Sequence, residues 1–176
     1  MKYDLNQHNK QLVMKFWQAL EDTPVAEAED LIAGYMHRDA SWNGPDPINQ
    51  LQGITAFVTG FWSPLLHSFP DLKRQTHLFF GGKSNGRIDG SGDGEMWVCG
   101  TGYFTGIFSN VYLTIPASGN EVNIRWGEFC RMRDGKIVET YFLLDLIDLM
   151  QRPVSRSCHR AVALTVCGHH RGPATG

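Results

Sequence analysis

The sequence lacks any long hydrophobic run: no window of its 176 residues approaches the roughly 18 consecutive apolar residues of a membrane-spanning helix. Its opening, Met1-Lys2-Tyr3-Asp4, is polar and leads into an amphipathic pattern rather than the apolar stretch of a secretory signal. Hydrophobic residues make up 42% and charged residues 19%, which is typical of one soluble domain with a packed core. We therefore expect a cytoplasmic protein that does not bind membranes.

An excess of positive charge is also lacking. Lys and Arg number 16 and Asp and Glu 18, so the formal net charge of −2 gives no reason to expect nucleic-acid binding. The charge is uneven, however: residues 152–176 hold four arginines and no acidic residue, whereas residues 1–151 hold 12 basic and 18 acidic residues. Hydrophobic periodicity ends at the same boundary. We predict a folded domain over residues 1–151 and a disordered tail over residues 152–176.

Paired metal-binding motifs are absent around the four cysteines. Cys158 and Cys167 lie near histidines in the tail, but no CxxC pair accompanies them. Cys99 and Cys130 lie in apolar, strand-like segments and are expected to be buried free thiols. The sequence therefore predicts neither a metal site nor a disulfide.

Apolar residues at helical spacing predict three helices before Pro70. The first ends near Asp22, and Thr23 then caps a second helix that has Pro24 at its first position. The third begins after Gly53, and Pro64 is expected to kink it or to restart it.

Alternating polar and apolar residues predict an antiparallel sheet in the second half of the chain. Its strands are expected at residues 74–81, 95–105, 107–115, 121–132 and 136–145. Asp134-Gly135 occupies the two central positions of a tight turn between the last two strands. The fold class is thus α+β, with three helices packed on a curved sheet that encloses a pocket.

Pairing Arg133 with Lys136 across that turn sets which residues share a face. The face expected to point inward is largely apolar, yet it contains four polar residues: Glu128, Glu139, Tyr141 and Asp145. A carboxylate on an apolar face is costly unless it is hydrogen-bonded, protonated or open to water. Each carboxylate therefore has a structural interpretation as well as a functional one. In the structural interpretation, Glu139 reaches solvent beside the turn and Glu128 pairs with an arginine such as Arg74.

The opposite, outer face of this hairpin mixes apolar and basic side chains. It carries Phe129, Phe142 and Leu144 together with Arg125 and Arg131, and is too apolar for open solvent. Packing two such faces about a two-fold axis would bury them. We expect a homodimer through the outer sheet face.

Several short motifs occur in an order shared with one known family. They are Phe69-Pro70-Asp71-Leu72, Thr101-Gly102-Tyr103-Phe104-Thr105-Gly106, Ile115-Pro116-Ala117-Ser118-Gly119, Gly127-Glu128-Phe129-Cys130-Arg131, Asp134-Gly135-Lys136-Ile137-Val138-Glu139 and Leu144-Asp145. Over residues 8–151 the chain resembles the SnoaL-like polyketide cyclases of the nuclear-transport-factor-two/ketosteroid-isomerase superfamily. The resemblance implies a cone-shaped α+β barrel whose pocket takes a small apolar or polyketide-like molecule without metal or cofactor.

The resemblance also implies residues of the site. The family's acid/base aspartate on the last strand corresponds to Asp145, and Trp42 and Asn43 match an aromatic and a polar pocket contact. Pocket histidines of the family are replaced here, one by Cys130 and another by Tyr103 or Phe104. These departures indicate a divergent member of the family.

Three further residues are candidate hydrogen-bond donors to a ligand because of their places on the predicted strands: His77, Trp126 and Tyr141. In the leading hypothesis, a desolvated Asp145 takes a proton alpha to a carbonyl group, and Glu128 positions or tunes it. Two other classes remain open: a small-molecule-binding module without chemistry, and a hydrolase in which Asp145, Glu128 and Asn43 activate water.

Overall fold

The computed structural model describes residues 4–86, 88, 91 and 93–151. The helices are α1 (Leu5–Asp22), a 3₁₀ turn (Val25–Glu27), α2 (Ala28–Tyr35), α3 (Ile54–Phe57), a π-helical turn (Val58–Trp62), α4 (Ser63–Ser68) and α5 (Leu146–Gln151). The strands are β1 (Met36–Asn43), β2 (Gln50–Gln52), β3 (Lys73–Asn85), β4 (Asp93–Ile107), β5 (Glu121–Arg133) and β6 (Lys136–Leu144). The predicted α+β class is confirmed, and the predicted tail over residues 152–176 lies outside the described residues.

The six strands form one curved, unclosed sheet in the order β2-β1-β6-β5-β4-β3. Neighbouring strands are antiparallel except β1 and β6, which run parallel. Helix α1 packs against β3 and β4 on one side of the sheet, which we call the inner face, and the other side is the outer face. Within the part of the chain that the structure describes, no helix has the length and apolar character needed to cross a membrane.

Helix α1 begins and ends where its capping residues lie. The Asp4 side chain accepts hydrogen bonds from the backbone N–H groups of the first turn, as an N-cap should. The helix ends at Asp22. The backbone of Thr23 is extended, and its hydroxyl donates to the carbonyl of Ala19 and does not cap the next helix as predicted. Its buried stripe includes Phe16 and Trp17, which pack on the inner face of the sheet and form one wall of the core.

The third predicted helix differs from expectation in where its irregularity lies. Ser63 has helical φ and ψ angles, so the chain does not restart at Pro64 with Ser63 as a cap. Pro64 lies in the first turn of α4 and has no N–H group to donate to the helical turn before it. The departure from α-helical geometry is instead the preceding π turn, and it directs both Phe61 and Trp62 into the core.

Residues 107–115 are not the strand that the sequence predicted. Tyr112 and Ile115 exchange backbone hydrogen bonds around Leu113 and Thr114, which have positive φ angles of 48° and 71°. The segment is a loop with buried apolar side chains, for example Tyr112 against Phe69. Phe108, Tyr112 and Ile115 are buried at spacings of four and three residues, so the segment lacks the alternation of a strand.

The hairpin of β5 and β6 has the predicted turn but not the predicted register. Asp134 and Gly135 have φ angles of 49° and 71°, as a two-residue type I′ turn requires. Val138 is then an extra residue, because Ile137 pairs with Met132 but Glu139 pairs with Arg131. This β-bulge shifts the rest of β6 by one position.

Because of this bulge, the residues of β6 after Val138 lie on the opposite faces from those predicted. Thr140, Phe142 and Leu144, expected outside or at the interface, are buried on the inner face. Tyr141 and Leu143 are exposed on the outer face instead. Of the four polar residues assigned to the inner face, Glu128 is the one that the structure places there.

Candidate functional site

Glu128 lies on the inner face in the middle of β5 and is paired with Arg74 of β3. Arg74 Nη1 donates to Glu128 Oε2 at 2.8 Å, and the two side chains are only 5% and 7% exposed. The arginine partner is the structural alternative that the sequence suggested. Because a buried charge without a partner is strongly unfavourable, each of these residues requires the other in the folded protein.

Aromatic rings surround the guanidinium group of Arg74. Its central carbon lies 4.5 Å from the ring centroid of Trp17, 4.4 Å from that of Trp126 and 4.9 Å from that of Phe104. Cations are attracted to the faces of aromatic rings, and planar guanidinium groups also stack on them. The three rings therefore hold Arg74 in one position beneath α1.

Cys130 forms the second contact of Glu128. Its Sγ donates to Glu128 Oε1 at 3.6 Å, and the residue is completely buried. Thr140 lies opposite Cys130 on β6 and is itself buried. Arg74, Glu128, Cys130 and Thr140 thus form a line of polar side chains, which we call the polar line, across an otherwise apolar interior.

Buried hydrogen-bond donors near this line have no partner among the described residues. They are Nε1 of Trp17, Nε1 of Trp126 and Nε of Arg74. Buried donors in proteins are usually satisfied by protein atoms, water or a ligand. These donors lie on the same side of the sheet as Glu128.

Asp145 does not lie on the inner face, which is a correction of the sequence-based expectation. Its side-chain Oδ1 accepts from the backbone N–H of Asp148 at 3.1 Å and so caps the first turn of α5. Its backbone N–H donates to the carbonyl of Arg125, a residue with an exposed side chain. The bulge at Val138 accounts for the change, because it turns the end of β6 by one position.

Trp42 and Asn43 have structural contacts in the same region. Trp42 is fully buried and stacks between Phe61 and Phe142, with ring centroids 4.4 Å and 5.6 Å away. Asn43 Nδ2 donates to the backbone carbonyl of Thr140 at 3.0 Å and links β1 to β6. Both residues therefore support the wall on which the polar line lies.

The remaining predicted site residues lie on the outer side. His77 is exposed at a bulge in β3, and its ring is 5.3 Å from that of Tyr103, whose hydroxyl accepts from Arg125 at 3.4 Å. Tyr141 is exposed beside Trp97, with centroids 6.3 Å apart. These three residues, expected in the pocket, are thus separated from Glu128 by the sheet.

An apolar groove of about 540 Å³ runs along the outer face. Aromatic side chains and one thiol form much of its lining: Phe80, Trp97, Cys99, Phe129 and Tyr141. Burial raises the pKa of the Cys99 thiol to about 11, so this thiol is protonated at neutral pH. Leu78 and Leu143, each 62% exposed, extend the apolar surface beyond the groove.

A metal-ligand cluster is not found in the described ranges: no three His, Cys, Asp or Glu side chains converge there. The tail cysteines and histidines considered from the sequence lie outside those ranges.

Sequence reasoning missed Thr140 as a member of the polar line, because the predicted register places it on the outer face. The sequence contained a signal for Thr140: it lies ten residues from Cys130 across a two-residue turn, and a single bulge brings the two opposite each other. Nothing in the local pattern indicated the bulge.

The profile of the SnoaL-like domain family matches residues 13–140. No curated protein matches the chain.

Solved structures with the same fold cover most of this chain and nearly all of their own. The proposed SnoaL-like polyketide cyclase from Jannaschia sp. CCS1 has 18% identity and a TM-score of 0.60, covering 87% of this chain and 99% of its own. The proposed polyketide cyclase IdmH from Streptomyces antibioticus has 15% identity and a TM-score of 0.61, covering 81% and 95%. TerC, crystallised with polyporic acid, has 15% identity and a TM-score of 0.56, covering 82% and 99%.

Proposed function

Since this chain belongs to the SnoaL-like domain family, we propose that the inner face of its sheet binds a small apolar carbonyl compound and that Glu128 acts there as the acid/base group of a cyclase- or isomerase-like reaction. The observation that carries the proposal is the position of Glu128: a carboxylate on the inner face, set among aromatic rings and unpartnered N–H donors. The polyporic acid in the TerC crystals supports a small-molecule ligand.

In this reaction Glu128 accepts a proton from a carbon alpha to a carbonyl group. The C–H electron pair becomes the enolate, and the negative charge develops on the carbonyl oxygen. Indole N–H groups of Trp17 and Trp126 are the donors available to that oxygen. Glu128 then returns the proton to another carbon, which gives an isomer. Alternatively, the enolate carbon attacks a second carbonyl carbon and closes a ring, the C=O π electrons move to that carbonyl oxygen, and the resulting alkoxide takes the proton back from Glu128. Arg74 compensates the carboxylate charge before and after the transfer.

Glu128 replaces Asp145 as the proposed base because Asp145 caps α5 and is partly exposed. The proposed hydrolase with Asp145, Glu128 and Asn43 has no support from the geometry, since the sheet separates the two carboxylates and Asn43 binds a backbone carbonyl. A binding module without chemistry is the second candidate. It is favoured by one observation, that both oxygens of Glu128 already have protein partners.

Proton abstraction can be measured without the natural substrate. Acetophenone in deuterium oxide exchanges its methyl protons when a base removes them, and proton NMR follows the loss of signal. We expect the protein to accelerate the exchange and Glu128→Gln to lower the rate about a hundredfold or more, the usual contribution of a general base. Glu121→Gln, the same change at an exposed position on the same strand, is the matched control.

Asp145→Asn tests which of the two carboxylates, Asp145 or Glu128, is the base. If this variant loses exchange while Glu128→Gln keeps it, Asp145 is the base and the present assignment is wrong. If polyporic acid or acetophenone quenches tryptophan fluorescence but no variant changes the exchange rate, the protein is a binding module.

We also propose that two copies associate through the outer face and that the protein works in the cytoplasm. The exposed apolar residues of that face support the dimer. Cys99 and Cys130, both free and on opposite faces of neighbouring strands, support a reducing compartment.

A further inference from the structure

Cys130 contacts the oxygen of Glu128 that Arg74 leaves free. Arg74 Nη1 binds Oε2 at 2.8 Å, and the Cys130 thiol approaches Oε1 at 3.6 Å. Each carboxylate oxygen can accept more than one hydrogen bond. Since a thiol is a weaker donor than a guanidinium group, Oε1 keeps more of its capacity to accept a proton.

The surroundings keep Cys130 in the form that donates. Its complete burial raises the pKa of the thiol well above its ordinary value, and the adjacent charge of Glu128 raises it further. The groups that face this pair are Arg74 from β3 and the Thr140 hydroxyl from β6, while Glu21 of α1 accepts from the backbone N–H of Arg74. At neutral pH the sulfur therefore carries its proton and points it at the carboxylate.

We propose that Cys130 is a positioning residue: its S–H group fixes the orientation of Glu128 so that Oε1 is the oxygen that receives the substrate proton. The inference rests on the proposed function of Glu128 and adds the orientation of its carboxylate. The bulge takes up Val138 as an extra residue, and Thr140 therefore lies opposite Cys130.

The contact itself has an infrared signature. The S–H stretching band of Cys130 is assigned as the band that Cys130→Ala removes from the spectrum of the full chain. Because a carboxylate is a stronger acceptor than an amide, we expect Glu128→Gln to shift this band to higher frequency. A band that stays in place shows that the thiol does not bind the carboxylate and overturns the inference.

The positioning role is tested by acetophenone exchange in three cysteine variants. Cys130→Ala removes the donor and is expected to lower the exchange rate about tenfold, the effect of losing one hydrogen bond of about 1.4 kcal/mol. Cys130→Ser restores a donor and should recover the rate to within about threefold of the unmodified protein. Cys99→Ala is the control, because Cys99 lies on the opposite face of the neighbouring strand.

The outcomes distinguish this inference from the proposed function. A full rate in Cys130→Ala, with exchange lost in Glu128→Gln, refutes the positioning role and leaves Glu128 as the base. A lower rate in Cys130→Ala that Cys130→Ser does not restore refutes the donor explanation. A full rate in Glu128→Gln overturns the proposed function and this inference together.

Discussion

Arg74 compensates the charge of Glu128 within an aromatic enclosure, and its replacement leaves that carboxylate buried without a partner. We predict that Arg74→Ala lowers the free energy of unfolding by about 3–5 kcal/mol, as measured by urea denaturation at neutral pH. Arg125→Ala, at an exposed arginine, should change it by less than about 0.5 kcal/mol. A loss below about 1 kcal/mol in Arg74→Ala would show that the pair is solvated and not buried.

Residue identities alone allowed the pairing of Glu128 with Arg74 to be considered, because a carboxylate on an apolar strand face needs a compensating charge. The same reasoning failed for Asp145. Its assignment depended on counting alternate positions from the turn, and one extra residue at Val138 reverses that count. The residue type alone indicates the chemistry of a side chain, whereas the side of the sheet on which the side chain lies depends on how the strands pair.

At the level of secondary-structure elements, the contact between α1 and the sheet depends on a glycine. A Cβ atom on Gly100 of β4 would lie 2.5 Å from Trp17 Cη2 and 3.3 Å from Trp126 Cη2. We predict that Gly100→Ala lowers the free energy of unfolding by about 1–3 kcal/mol, the usual effect of overpacking. Gly82→Ala in β3 is the control, because a Cβ there meets nothing within 4 Å. Equal stabilities of the two variants, measured by urea denaturation, would contradict the close packing of Trp17.

The order of helices and strands was predictable because hydrophobic periodicity covers many residues at once. Helix α1 and the hairpin turn at Asp134-Gly135 agree with the sequence analysis for this reason. The π turn at Val58–Trp62 and the loop over residues 107–115 were not predictable. In both, apolar side chains are buried while the backbone departs from regular geometry, and hydrophobicity along the sequence indicates only the burial.

For the whole molecule, the outer face predicts the state of assembly. We expect light scattering at micromolar concentration to give the mass of a dimer, because the exposed apolar residues of this face would be covered by a second copy. Leu143→Lys, in the middle of the face, should convert the dimer to a monomer. Val111→Lys changes an equally exposed apolar residue in the loop after β4 and should leave the dimer intact. A monomeric mass for the unmodified protein would contradict the proposed interface.

Leu149 is the last buried residue of the described core, two positions before Gln151. We predict that truncation after Gln151 leaves the midpoint of thermal unfolding within about 3 °C of the full chain, as measured by calorimetry. Loss of cooperative unfolding in the truncated protein would show that residues 152–176 belong to the folded unit.

The bulge at Val138 also decides where β6 can lose one residue, because the face on which each later side chain lies depends on whether the number of residues before it is odd or even. Removing Val138 would leave Ile137 followed by Glu139 in strict alternation, so Thr140 and Phe142 would still face inward. Removing a single residue from the regular part of β6 after the bulge would have the opposite effect, because every later side chain of the strand would move to the other face of the sheet. Position 138 is therefore a place in this strand where the chain can lose one residue and keep the two surfaces of the sheet distinct.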